Sequence, residues 1–420
     1  MANSPCEHTV RLLNMMNRRS PTNLGNPHAA ADVGGVGQAR HVTVWQELVG
    51  QEAAVAVLQR AAAGDAHAMS HAWLITGPPG SGRSNAARAF AAALECAKGG
   101  CGECSACRTT LSGAHPDVTV VRTEQLSIGV DEVRMLVRRA AMSPTMRHHQ
   151  VIIIEDADRI TERGADALLK AIEEPPPRTV WLLCAPTQDD VVATIRSRCR
   201  HLDLATPSQA AVARLLVERD GVDPAMASFA ARAAQGHVGR ARHLARDESS
   251  RIRRREVLQL PPQLTSLGAC LRAAANVVSA SSDEANSSTT DRDARELAEL
   301  NEALGFGTKG ARPRNAQSQV KDLEDQQKAR VKRLQRDGLD RVLTELTTYY
   351  RDVLAVQLGT GAPLVNVEQD APIRTLARRA SADATMRKLD AILAARTALE
   401  TNVAPLLAME ALFIDLAESL

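Results

Sequence analysis

Three groups of residues in this sequence have types and spacings suited to chemistry. The first is "GPPGSGRS", Gly77 to Ser84. Gly77, Gly80 and Gly82 let backbone N–H groups turn inward, a following helix adds its N-terminal partial positive charge, and Ser84 offers a hydroxyl for magnesium. That is the composition of a phosphate-cradling loop. Such loops carry lysine before the hydroxyl, but Arg83 stands here, and a broad planar guanidinium does not simply replace a compact ammonium in a tight loop. Further along, "VIIIEDAD" ends in Glu155 and Asp156. Phosphate-loop enzymes place an aspartate on the metal shell there, followed by a glutamate that polarises water. The two lengths are exchanged in this chain, and a displacement of about 1 Å can cost about a hundredfold in rate. These residues imply a phosphate-loop ancestry, with hydrolysis disfavoured, and leave binding of ATP or ADP open.

The second group is Cys96, Cys101, Cys104 and Cys107, in the setting "KGGCGECSAC". Four thiolates this close can complete a tetrahedron, with glycines for the tight turns, and a filled tetrahedron is structural because no open position remains for catalysis. Structural zinc is the expected occupant. An iron–sulfur cluster is the chemical alternative, although a remote cysteine followed by proline is missing. Reduced free thiols are the bland one. The third group is "TIRSRCRHLDL", which places Arg196, Arg198 and Arg200 around Ser197 and Cys199. An arginine at an outer helix end can neutralise charge on a neighbouring subunit's γ-phosphate, yet the spacing alone fits a solvated basic turn better.

These groups need elements to hold them. "HAWLITGPPGSGRSNAARAFAAALEC" runs from an apolar strand through the loop into an alanine-rich helix, the order a phosphate loop requires. "HPDVTVVRT" reads as a strand, "GVDEVRMLVRRAAMSP" as a helix stopped before Pro144, and "HQVIIIEDADRIT" as a strand buried on both faces. "ERGADALLKAIEEPPPRT" is a helix ended by prolines, and "VWLLCAPT" another buried strand. The alternation predicts a doubly wound α/β domain with a parallel sheet over residues 42–205, including the cysteine module at 96–107. A helical lid is expected over 206–250 and an all-helical domain over 251–420. Within the latter, 281–318 is Gly/Ser/Asn-rich and reads as a flexible insertion. Residues 1–41, rich in Asn, Pro, Ser and Gly, read as a disordered extension.

Composition narrows the classes. A chain of 420 residues with 44% hydrophobic content has room for several buried cores. A net charge of +2 and 2% aromatic residues argue against a dedicated nucleic-acid or single-strand binder. A zinc-dependent nucleic-acid binder using the basic run from Lys328 to Arg336 remains a third reading, but charges of both signs lie along that helix. No long apolar run suggests a membrane span or secretory signal, so a cytoplasmic location is expected.

Taken together, "LVGQ", "GPPGSGRS", the four-cysteine insert, "ALLKAIEEPP" and "RSRCR" resemble the delta-prime family of bacterial DNA polymerase III clamp-loader subunits, a branch of the AAA+ P-loop NTPase-like proteins. The resemblance covers residues 42 to about 250, and the helical remainder fits that family's collar, or oligomerisation, domain more loosely. It implies a stator-like component of a hetero-pentamer with gamma/tau motor and delta subunits. That assembly places the sliding clamp on primer-template DNA during replication. It further implies that Arg198 is a trans arginine finger, that the cysteines hold zinc, and that the chain itself is neither polymerase nor active ATPase. The departures agree with this. Ala185 and Pro186 stand where hydrolytic relatives have a polar sensor, and Gly239 stands where motor subunits carry a sensor arginine, with Arg240 one position away. The alternative is an ATP-hydrolysing AAA+ motor in which Arg83 and Asp156 work despite their shapes.

Overall fold

Short apolar strands alternating with alanine-rich helices build a five-stranded sheet in a computed structural model that describes residues 43–65, 67–123, 127–146, 148–304, 316–401 and 403–417. The extension expected at 1–41 lies outside the described residues. In chain order the elements are α1 (Glu52–Ala62), β1 (Ala72–Thr76), α2 (Arg83–Glu95), α3 (Ser105–Ser112), β2 (Val118–Val121), α4 (Val130–Ala140), β3 (Gln150–Ile154), α5 (Glu162–Glu173), β4 (Thr179–Ala185), α6 (Ala193–Arg196) and β5 (Arg200–Asp203). The strand order is β2-β3-β4-β1-β5 and every pairing is parallel.

Alternate residues of the central strands point to two separate cores. Trp73, Ile75, Ile153 and Leu182 pack with Phe90 and the alanines of α2, and Trp73 meets Phe90 edge to face at 5.2 Å. Leu74, Ile152, Trp181 and Leu183 pack with Val133 and Leu136 of α4 and Leu168 and Ile172 of α5. Both faces are covered, so β1, β3 and β4 are buried throughout, which is why they read as continuous apolar runs. Small side chains at Ala86, Ala87 and Ala89 let α2 lie close to the sheet. Strand β5 was not expected from the sequence. It is a four-residue edge strand in which only Leu202 is buried.

Three helices follow the sheet: α7 (Gln209–Glu218), α8 (Pro224–Ala234) and α9 (Val238–Arg246). Ser208 and Asp223 cap the first two through side-chain oxygens, and Pro224 occupies the first turn of α8. Val212, Leu216, Ala230, Ala241 and Leu244 form their own small core. Beyond lie α10 (Glu248–Leu258), α11 (Leu267–Ala303), α12 (Ala316–Gln357), α13 (Asp370–Arg379), α14 (Ala382–Glu400) and α15 (Pro405–Ala417).

The chain divides into two compact units. One holds residues 41–255 and 282–337, the other 256–281 and 338–420. Residues 251–420, expected as one helical block, are thus shared between them. In the second unit Leu343, Tyr349, Tyr350, Ile373, Ile392, Met409 and Phe413 make the core, and the buried Lys388 donates to Leu416 O at 2.6 Å, closing the end of α15.

The flexible insertion expected at 281–318 is corrected by the structure. Residues 281–303 continue α11 and 316–318 begin α12; residues 305–315 lie outside the described residues. The polar residues that suggested a linker form a seam between antiparallel helices. Arg330, nearly buried, binds Asp293 at 2.5 Å and Glu296 at 3.0 Å, and Gln335 donates to Ser282 Oγ at 2.6 Å. Paired polar groups satisfied this way need no apolar stripe to hold two helices together.

Candidate functional site

The phosphate-type loop leaves the carboxyl end of β1 and enters α2 through Gly82, whose φ of 96° lies in the left-handed region. Gly80, at φ 83°, has a second reason to be glycine: a Cβ there overlaps the side chain of His237. His237 is the N-cap of α9, its Nδ1 accepting from Arg240 N at 3.2 Å, and burial lowers its pKa. The phosphate-type loop itself is therefore packed against the start of α9. Arg83 does not project outward. Its Nη1 donates to Gly77 O at 2.5 Å, and burial pulls its pKa down against the opposing charges of Asp156 and Asp158. Gly77 N donates to Pro186 O at 3.1 Å, so at Ala185 and Pro186 only backbone faces the loop. Gly239 likewise offers no side chain, and Gln51 of "LVGQ" holds Ala205 O at 2.6 Å and Ser81 O at 3.3 Å, fastening the loop to the start of the lid.

The acidic pair sits at the end of β3, beside a polar cleft of about 340 Å³ lined by Arg83, Ser84, Asn85, Arg88, Arg122, Glu155, Asp156 and Arg333. Both carboxylates already have guanidinium partners. Arg88 binds Glu155 Oε1 through Nε at 3.0 Å and Nη2 at 2.8 Å, and Arg333 of α12 lies 3.5 Å from Asp156 Oδ2. A magnesium ion here has to displace them. The sequence reading missed Arg88 and Arg333. Arg88 stands four residues after Ser84 on the same face of α2, a signal that spacing offers; Arg333 has none, since only the tertiary fold brings it to Asp156.

In the cysteine module, Cys96 Sγ lies 3.7 Å from Sγ of both Cys101 and Cys104, and all four sulfurs, Cys107 included, lie within 4.8 Å of one another. Zinc–sulfur bonds of about 2.3 Å give tetrahedron edges of about 3.8 Å. The four sulfurs fit a metal ion such as zinc. Burial opposes ionisation of Cys96, but backbone N–H groups of Cys101, Gly100 and Lys98 bring it down to about 6; burial instead pushes Cys107 up. The module is tied to the chain before α1: Trp45 Nε1 donates to Gly99 O at 3.3 Å and Val44 N to Gly100 O at 3.1 Å.

The three arginines near β5 differ. Arg200 donates to Ala68 O at 2.5 Å and lies over the Trp73 ring at 5.1 Å, which makes it part of the scaffold. Arg196 binds Asp189 at 2.6 Å and Gln188 O at 3.1 Å. Arg198 is 40% exposed and rests on Glu173, the last residue of α5, at 2.6 Å, with Thr194 O at 2.9 Å.

A parallel sheet in this order, with a glycine-rich loop between β1 and α2 and an acidic pair after β3, defines a P-loop NTPase-like α/β domain followed by a helical lid. Within that class, residues 50–208 match the family described as "DNA polymerase III, delta subunit". The chain is 37% identical over 164 residues to DNA polymerase III subunit delta' of Pseudomonas aeruginosa, covering 38% of this chain and 50% of that one. It is 32% identical over 195 residues to subunit delta' of Bacillus subtilis, covering 46% and 59%. To DNA polymerase III subunit gamma/tau of Mycobacterium tuberculosis it is 35% identical over 184 residues, covering 42% and 32%. The matches thus span less than two thirds of each of these relatives, and over that region the chain is delta-prime-like.

Proposed function

We propose that this chain is a delta-prime-like, non-hydrolysing subunit of a DNA polymerase III clamp loader, working in the cytoplasm. In this reading it gives Arg198 to the ATP site of an adjacent gamma/tau-type motor, and the assembly, completed by a delta subunit, loads the sliding clamp onto primer-template DNA. The supporting observation is a contrast within one domain. The chain's own loop and acidic pair are filled by Arg83, Arg88 and Arg333, whereas Arg198 stays at the surface on a single carboxylate. A guanidinium reaching a neighbour's γ-phosphate speeds phosphoryl transfer by roughly 10³–10⁵. Glu173 holds it in place until that phosphate competes for it. Zinc at Cys96, Cys101, Cys104 and Cys107 serves the fold and takes no part in the reaction.

The test uses the reconstituted complex of this chain with its motor and delta partners. Arg198→Ala is expected to assemble normally and to lose most clamp- and DNA-stimulated ATP turnover at one motor site. Unchanged turnover refutes the role of Arg198. Magnesium-dependent phosphate release by the isolated chain, abolished by Asp156→Asn, establishes the alternative of a working motor.

A further inference from the structure

We infer that Glu95, His115 and Asp117 form a second divalent-cation site, separate from the four cysteines. The three come from different places: Glu95 ends α2, and His115 and Asp117 flank Pro116 on the approach to β2. They are 3%, 6% and 1% exposed, and one ligand atom from each lies within 4.8 Å of the other two. Two carboxylates in one buried spot need positive charge or donors. Asp117 has donors, accepting from Thr145 N and Met146 N at 2.7 Å each. Glu95 is served on one oxygen alone: Oε1 accepts from His149 N at 3.0 Å, and the fully buried Oε2 has no hydrogen-bond partner. That orphaned oxygen is the independent mark of a missing ligand.

Two carboxylates and one imidazole are the donors that borderline first-row cations take, and three protein ligands leave positions for water. Zn²⁺ or Mn²⁺ fits the set, with bonds of about 2.0–2.2 Å drawing the ligands slightly inward. His115 Nδ1 accepts a long 3.2 Å bond from Asp117 N, so the ring's proton sits on Nε2. Ligation at Nδ1 exchanges that long hydrogen bond for the metal and leaves the Nε2 proton in place, so uptake there costs the fold little; ligation at Nε2 would move the proton to Nδ1 and break the bond from Asp117 N.

Cobalt titration of the metal-free full chain tests this. The first equivalent is expected to give the intense thiolate-to-cobalt charge-transfer bands of the cysteine module, and a second to add weak bands without new charge transfer. Glu95→Gln should bind one equivalent with the charge-transfer bands intact, and a chain with Cys96, Cys101, Cys104 and Cys107 all changed to serine should keep the weak bands alone. Elemental analysis after zinc or manganese loading should follow the same count. Saturation of the wild-type chain at one equivalent overturns the inference whether or not the variants fold, and so does a Glu95→Gln chain that still binds two.

Discussion

His237 shows how one side chain can join a loop to a distant helix. It packs so closely against Gly80 that no larger residue fits there, and its Nδ1 lone pair holds the first turn of α9. Burial disfavours the charged ring, and the nearby Arg240 acts in the same direction. An unfolded histidine titrates near 6.5, so between the lower folded value and 6.5 the unfolded chain binds more protons. Stability is therefore full above that window and falls as the pH drops through it. Protonation at Nδ1 also removes the acceptor for Arg240 N–H. The NMR titration of the His237 ring should show a midpoint below 6.5, and a midpoint at or above that value contradicts the burial argument. Arg83 and Arg88 were within reach of the sequence, one by its place in a motif and the other by its spacing from Ser84. His237 was not, because "GHVGR" carries no sign that its imidazole meets a glycine far back in the chain.

At the scale of elements, legibility followed burial. Strands β1, β3 and β4 are apolar except for one terminal residue each, Thr76, Gln150 and Thr179, because helices cover both faces, and they stood out in the sequence. The edge strand β5 buries Leu202 alone and reads as a basic turn. The α11 and α12 pair was misread for the opposite reason. It is joined by Arg330, Asp293, Glu296, Gln335 and Ser282, and polar contacts leave no periodic apolar stripe. The same helix α12 carries Arg333 to Asp156, with side chains only 14% and 23% exposed. Pairs this close and poorly solvated couple by about 1–2 kcal/mol. A urea-unfolding double-mutant cycle with Arg333→Ala and Asp156→Asn should return a coupling of that size, whereas additive single changes deny that α12 holds the acidic pair. If the pair is coupled, the helical insertion acts on the loop region and is more than a spacer.

Across the whole molecule the aromatic residues sort by unit. Trp45, Trp73 and Trp181 lie in the unit of residues 41–255 and 282–337, and Tyr349 and Tyr350 in the other. Tryptophan emission therefore reports on the unit with the cysteines, and Trp45 touches the module itself through Gly99. Metal held only by the folded form stabilises that form. Chelation should lower the tryptophan-monitored melting temperature by roughly 5 °C or more, given about 2–4 °C per kcal/mol for a unit of this size, and leave the tyrosine-monitored transition in place. Equal shifts in both signals exclude a metal confined to the first unit.

Glu47 is shared by Arg219 and Arg242, Arg242 also grips Asp220, and Gln51 pins Ala205 where the lid begins. With His237 seated against Gly80, these contacts fasten α7 and α9 to the phosphate-type loop and to the chain before α1. In the proposed role, a lid fastened in this way would pass on a push from an adjoining subunit rather than absorb it.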